Sequence, residues 1–196
     1  MHRGIRDERV LDAMARVPRE RFVPAPERRH AYDDVALALS HGQTISQPFI
    51  VALICQALVL EGGENVLDVG TGSGYQAAVL AELGARVVSI ERIPELAEQA
   101  RASLADAGYA VEVRVGDGAL GAPDRAPFDA VAVAASAAAV PHALAEQLAS
   151  GGRLVLPLGE HLVRVTHEGV EELVPARFVP LVTGFSADAP GITGRR

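Results

Sequence analysis

The chain predicts an α/β fold: a doubly wound, mostly parallel sheet with antiparallel strands at its C-terminal end. Three observations carry that expectation. Between residues 65 and 157, short β-branched runs alternate with helix-length segments, the spacing that parallel strands joined by right-handed crossovers require. The run Val66-Leu67-Asp68-Val69-Gly70-Thr71-Gly72-Ser73-Gly74-Tyr75 delivers an apolar strand into a glycine-rich turn and then a helix. After Pro157 the helices stop, and short β runs separated by turns follow.

The elements follow in order. Over residues 6–17, Val10, Leu11, Met14 and Val17 fall on one helical face, Asp7 and Glu8 suit its positive end, and Pro18 stops it. Residues 22–26 hold two prolines and read as an extended connector. Residues 36–48 read as mostly irregular and lead into an apolar helix that Glu61-Gly62-Gly63 ends. Strand 65–69, helix 74–83 and strand 86–90 come next, the last closing on Glu91. Pro94 starts a helix that Gly108 closes. Residues 111–115 form the third strand, 128–134 the fourth, 141–149 a helix and 153–157 the fifth strand after Gly151-Gly152. Residues 161–166, 170–174 and 177–183 read as antiparallel strands finishing the sheet.

Composition narrows the class. A chain of 196 residues with 49% apolar and 22% charged residues suits one globular domain, here 1–184. Within it, 1–61 reads as a helical and lid segment, 62–160 as a cofactor-binding core and 161–184 as the C-terminal strands, with 185–196 a tail expected to fray. No stretch approaches a membrane span, and Met1-His2-Arg3-Gly4 lacks a signal peptide's apolar region, so a cytoplasmic protein with no membrane partner is expected, acting as a monomer. The net charge of −7 argues against nucleic acid as a partner. The lone Cys55 excludes a disulfide framework, and no histidine pair has ligand spacing, so no metal site is expected. All 18 basic residues are arginine, which removes lysine chemistry. His41 and His142 read as a surface-loop and a structural residue.

The glycine run carries the chemistry. Gly70, Gly72 and Gly74 let the backbone turn tightly and approach a ligand. A dinucleotide fingerprint, G-x-G-x-x-G, would need glycine where this chain has Tyr75. Asp68, Glu91 and Asp117 end three successive strands and would line one edge of the crevice. Glu91 there can accept both hydroxyls of a ribose. Asp117 can reach the exocyclic amine of an adenine while Gly118 lets the ring lie close. Taken singly, each acid also suits a helix cap or turn.

The G-x-G-x-G turn is similar to the first motif of the class I S-adenosylmethionine-dependent methyltransferases. With it, Gly42-Gln43-Thr44-Ile45-Ser46-Gln47-Pro48, Ser89-Ile90-Glu91-Arg92, Gly116-Asp117-Gly118, Phe128-Asp129-Ala130-Val131 and Arg177-Phe178-Val179-Pro180-Leu181 make the chain resemble protein-L-isoaspartate (D-aspartate) O-methyltransferase from about Asp7 to Gly184. The resemblance implies S-adenosyl-L-methionine as cofactor, isoaspartyl peptides and proteins as substrates, and a catalytic role for Ser46. It also implies donor contacts from Gln43, Thr44, Ile45, Ser73, Glu91, Asp117 and Gly118. The chain departs from the family pattern at Leu37-Ala38-Leu39-Ser40 and over 134–139. Ser46 has two readings: its hydroxyl orients the acceptor carboxylate, or it caps the helix starting near Pro48. Two other functions compete: a carboxyl methyltransferase acting on aspartate of a dedicated precursor peptide, and a nucleoside-binding module without turnover.

Overall fold

The computed structural model describes residues 4–184; the predicted tail lies outside them. Seven strands form one sheet in the order β5-β4-β3-β6-β7-β8-β9. They are β3 (Asn65–Val69), β4 (Arg86–Glu91), β5 (Glu112–Val115), β6 (Phe128–Val133), β7 (Leu148–Leu158), β8 (His161–Thr166) and β9 (Gly169–Pro175). Neighbours from β5 to β7 pair in parallel, whereas β8 and β9 are antiparallel additions. The winding reverses between β3 and β6, which opens a crevice beyond their carboxyl ends.

Helices α1 (Glu8–Arg16), α2 (Pro48–Leu58), α3 (Tyr75–Glu82) and α4 (Pro94–Ala107) surround that sheet. The residues of β3 and β6 alternate between two apolar clusters, because both faces of a parallel sheet are covered: Val66 and Ala130 pack with α2 and α3, Leu67 and Val131 with the opposite cluster. Asp7 caps α1, its carboxylate accepting the Arg9 N–H at 2.9 Å. Among the described residues, no helix is long and apolar enough to cross a membrane.

Four segments depart from expectation. Residues 22–26 are not simply extended: 3-10 turns occupy Arg19–Arg21 and Ala25–His30, where Pro26 sits at a start that needs no N–H. Residues 36–48 are not mainly irregular, since β1 (Leu37–Ala38) pairs with β2 (Thr44–Ile45) around a tip where His41 and Gly42 take φ of 57° and 69°. The expected helix over 141–149 is only α5 (His142–Ala145), because β7 already begins at Leu148 and a bulge against β6 absorbs Gly151-Gly152. Residues 177–183 form no strand of the sheet; they run beside the segment that follows β6, joined to it by an isolated parallel bridge between Pro180 and Ser136.

The ends of α2 are held from far away in sequence. Its first turn is capped by Asp34, whose Oδ1 accepts the Phe49 N–H at 3.0 Å. It ends at Val59 (φ 48°) rather than at Glu61-Gly62-Gly63, with the Arg153 guanidinium donating to the Leu58 and Val59 carbonyls. Asp34→Ala is expected to lower Tm by about 2–4 °C in a thermal melt, the effect of losing a cap worth about 1 kcal/mol in a chain of this size.

Candidate functional site

The crevice is a cavity with three kinds of wall. Residues 69–73 and Ile90, Glu91 and Arg92 supply the sheet edge, with Gly118, Ala134 and Ala135 beside them. Residues 43–47 and the first turn of α2 face that edge, and residues 177–182 cover the opening. Of the residues singled out in the sequence, Gln43, Thr44, Ile45, Ser46, Gly70, Gly72, Ser73, Glu91 and Gly118 therefore share one cavity. Asp68, Gly74 and Asp117 do not line it.

Each of those three has a visible alternative task. Gly74 (φ 88°) is required by packing: a Cβ there would meet Leu104 Cγ of α4 at 3.2 Å, so this glycine seats α3 against α4. Asp117 caps the short 3-10 turn at Gly118–Leu120, accepting the Ala119 N–H at 2.9 Å through Oδ1. Its Oδ2 accepts the Gly184 N–H at 2.7 Å, which ties down the end of the covering segment. Gly118 itself lines the cavity, and a Cβ on it would stand 2.5 Å from Val69 Cγ1. Only hydrogen fits between that turn and β3, so the wall there is thin and apolar, suited to a flat ring.

Asp68 lies beneath the glycine turn, fully buried. In the β3–β4 register it sits opposite Ser89, so their side chains share a face. Ser89 Oγ donates to Asp68 Oδ2 at 2.7 Å, and Gln76 Nε2 donates to Oδ1 at 2.7 Å. Ser89 has one hydroxyl proton, so Thr71 must be the donor in the 2.6 Å contact between their oxygens. The carboxylate thus braces the turn from below instead of meeting a ligand.

Burial pushes the Asp68 carboxyl up from 3.8 to about 6, against the lowering pull of its two donors, with the nearby Glu91 charge adding a further rise. A raised folded-state pKa means that the native state binds the proton more tightly than the unfolded chain. This group therefore costs nothing below about pH 4 and costs up to about 3 kcal/mol above pH 6. Asp68→Asn is expected to gain stability relative to the parent by about that amount as pH rises from about 4 to 7. Urea midpoints of both proteins across this range measure it; a constant difference would contradict it.

Glu91 is 5% exposed and aims both oxygens at backbone donors, Oε2 accepting the Gly72 N–H at 2.9 Å and Oε1 the Ile93 N–H at 3.0 Å. Each carboxylate oxygen has a second lone pair, so the side chain both shapes the turn and can accept from a ligand in the cavity. The turn is further stitched to β4, where the Ile90 carbonyl accepts the Gly70 and Thr71 N–H groups at 2.9 and 3.2 Å.

Ser46 stands on the opposite wall. Its carbonyl accepts from Arg19 Nη2 at 2.8 Å, while its hydroxyl has no hydrogen-bond partner among the described residues. The capping alternative does not hold, because Gln47 is the N-cap residue, no side chain of the cap is bonded, and Asp34 serves the first turn instead. The hydroxyl is free for whatever enters the cavity.

Sequence reasoning missed two parts of the site. Gln76 lines the cavity from α3, with nothing in its sequence context to distinguish it from a surface glutamine. The segment 177–182, including Arg177 and Phe178, lines the cavity where the sequence predicts a sheet strand; Pro180 within it is the signal against a ladder position.

Comparisons with known proteins identify the family. A family model described as Protein-L-isoaspartate(D-aspartate) O-methyltransferase (PCMT) matches residues 1–186. The protein-L-isoaspartate O-methyltransferase of Methylorubrum populi is 55% identical over 194 residues, spanning 94% of this chain and 92% of its own. Protein-L-isoaspartate O-methyltransferase 2 of Marinobacter nauticus is 56% identical over 191 residues, spanning 92% and 87%. The crystal structure of the Plasmodium falciparum beta-aspartate methyltransferase (PCMT) in complex with S-adenosyl-L-homocysteine superposes with a TM-score of 0.81 at 26% identity, covering 92% of this chain and 93% of that one. With a reversed-winding sheet, a glycine turn braced by a buried acid, and a matched sequence over nearly its whole length, this chain belongs to the protein-L-isoaspartate (D-aspartate) O-methyltransferase family.

Proposed function

We propose that the cavity binds S-adenosyl-L-methionine and that the chain methylates the α-carboxylate of L-isoaspartyl residues in proteins and peptides. The observation that carries the reading is the pairing of Glu91 and Ser46 across one cavity: an acid with spare lone pairs on the sheet edge and a free hydroxyl opposite it. The residues fit the cofactor. Glu91 would accept the ribose hydroxyls, the thin wall at Gly118 would take the adenine, and Gly70, Gly72 and Ser73 would approach the amino-acid portion. Gln43, Thr44 and Ile45 would close over it from the hairpin side.

When bound, the cofactor supplies a methyl group on a sulfonium, which the acceptor carboxylate oxygen takes as the carbon–sulfur bond breaks. A carboxylate is ionised at neutral pH, so the protein needs no strong base and its work is positioning. The Ser46 hydroxyl donates to one carboxylate oxygen and leaves the other free to attack. Residues 177–182 exclude water from the cavity mouth, which strengthens that hydrogen bond. Methoxide leaves the ester far more readily than an oxygen leaves the ionised acid. The neighbouring backbone nitrogen can therefore attack the ester carbonyl, lose its proton, expel methanol and close a succinimide whose hydrolysis returns some normal aspartate. This makes the activity a protein repair. The reading takes residues 1–184 as one methyltransferase domain acting as a cytoplasmic monomer on peptides and not on nucleic acid.

Incubation with an isoaspartyl peptide and labelled S-adenosylmethionine is expected to give a base-labile methyl ester on that peptide. Ester formed on the ordinary aspartyl peptide in its place would assign a different acceptor. Cofactor binding with no transfer to any peptide would leave a binding module.

A further inference from the structure

Arg19 is a guanidinium shut inside the protein, 1% exposed, in the 3-10 turn after Pro18. Its Nε donates to the Ala31 carbonyl at 2.7 Å and its Nη2 to the Ser46 carbonyl at 2.8 Å. Its Cζ lies 4.5 Å from the centre of the Tyr75 ring, which Phe22 supports from another side with centroids 5.8 Å apart. Tyr75 is the first residue of α3 and directly follows the glycine turn. One planar group therefore touches the segment bearing Ser46, the connector that leads to it, and the residue anchoring the glycine turn.

Such a group is expensive to keep. Taking an ion out of water costs several kcal/mol, and a methionine would fill similar volume without that cost. Burial holds the guanidinium below its ordinary pKa, with Tyr75 and Asp34 pulling the other way. What only a guanidinium supplies is a rigid fork with donors in fixed directions and a flat face that stacks on an aromatic ring. A lysine would offer a point charge and could not hold both carbonyls while stacking.

We infer that Arg19 is a positioning residue for methyl transfer: by holding the Ser46 carbonyl with its fork while its face rests on the Tyr75 ring, it sets the Ser46 hydroxyl against the glycine turn that receives the methyl donor. This rests on the reading of Ser46 given above. Arg19 touches neither cofactor nor acceptor; it does not line the cavity. Its effect is therefore on turnover with bound reactants and not on cofactor affinity.

The test uses Arg19→Met, Arg19→Lys, Ser46→Ala and the Arg19→Met/Ser46→Ala double variant of the full chain. For each, S-adenosylhomocysteine affinity by calorimetry, thermal melting, and kcat at saturating isoaspartyl peptide are measured. Arg19→Met is expected to lower kcat about tenfold or more with S-adenosylhomocysteine affinity within about threefold of the parent. Arg19→Lys is expected to recover less than about half of the lost rate, because the fork is not restored. The double variant should fall no more than about twofold below Ser46→Ala alone, since both changes remove one function. Losses that multiply in the double variant, or affinity that falls in step with kcat, would overturn the inference and leave Arg19 a staple of the fold. If Arg19→Met does not fold, Arg19→Lys decides: parental kcat from it overturns the inference. Ser46→Ala at the parental rate would instead overturn the reading of Ser46, whereas an impaired Ser46→Ala beside an unimpaired Arg19→Met would sink only the role of Arg19.

Discussion

Replacing Glu91 with alanine is expected to weaken S-adenosylhomocysteine binding about a hundredfold. The carboxylate accepts the Gly72 and Ile93 N–H groups, and on the proposed reading its remaining lone pairs receive the ribose hydroxyls. Hydrogen bonds to a charged acceptor contribute about 1.5–3 kcal/mol each, so losing the ribose pair and the support of the turn removes about 3 kcal/mol after partial compensation by water. Glu91→Gln should fall between parent and alanine, because its amide keeps one oxygen but turns an NH₂ toward a backbone donor. Calorimetric titration with S-adenosylhomocysteine measures both. An alanine variant that binds within threefold of the parent would show that the ribose lies elsewhere in the cavity.

Ser46→Ala is expected to separate turnover from binding in the opposite sense. Its hydroxyl has no partner among the described residues, so deletion breaks no bond in the protein. One hydrogen bond to the acceptor carboxylate, realised with the reactants in place, corresponds to about 10- to 100-fold in kcat. Cofactor affinity should stay within about twofold, and Tm should not move, since the cap of α2 belongs to Asp34. That last expectation distinguishes the two roles weighed for this serine. A capping serine would lower Tm and spare kcat; an orienting serine would lower kcat and spare Tm. Steady-state rates with isoaspartyl peptide, together with melting of the same samples, read both quantities.

These two residues differ in how far the sequence alone could take them. Glu91 is legible because β4 ends where its apolar run ends, and a strand end in a parallel sheet faces the crevice regardless of distant contacts. Ser46 is legible as a candidate, but its freedom is not. Whether a serine two residues before a helix caps it depends on whether another acceptor reaches the first turn, and Asp34 does so from outside the motif. Asp68 shows the converse. A strand-end acid followed by glycines looks ligand-facing, yet its partners come from Ser89 and Gln76, brought there by the β3–β4 register and by the first turn of α3. The carboxylate is fully buried beneath the turn and lines no part of the cavity, whereas Glu91 with the same number of backbone or side-chain donors does.

The same division runs through the backbone. Strands β3, β4 and β6 were readable because buried parallel strands are near-continuous apolar runs whose identity is local. The sequence puts residues 148–149 in a helix, Gly151-Gly152 in a turn and 177–183 in a strand, but their conformation is decided by what lies alongside. Residues 148–152 pair with β6 through a bulge, and 177–183 cross the cavity mouth with Gly184 held by Asp117. By itself the sequence determined the sheet, the glycine turn and the family, since periodicity and motif spacing depend on neighbours along the chain. Only the tertiary structure decided which acids meet the cavity and which brace it. A carboxylate's role is set by the donors within about 3 Å of its oxygens, and those come from segments that only folding brings together.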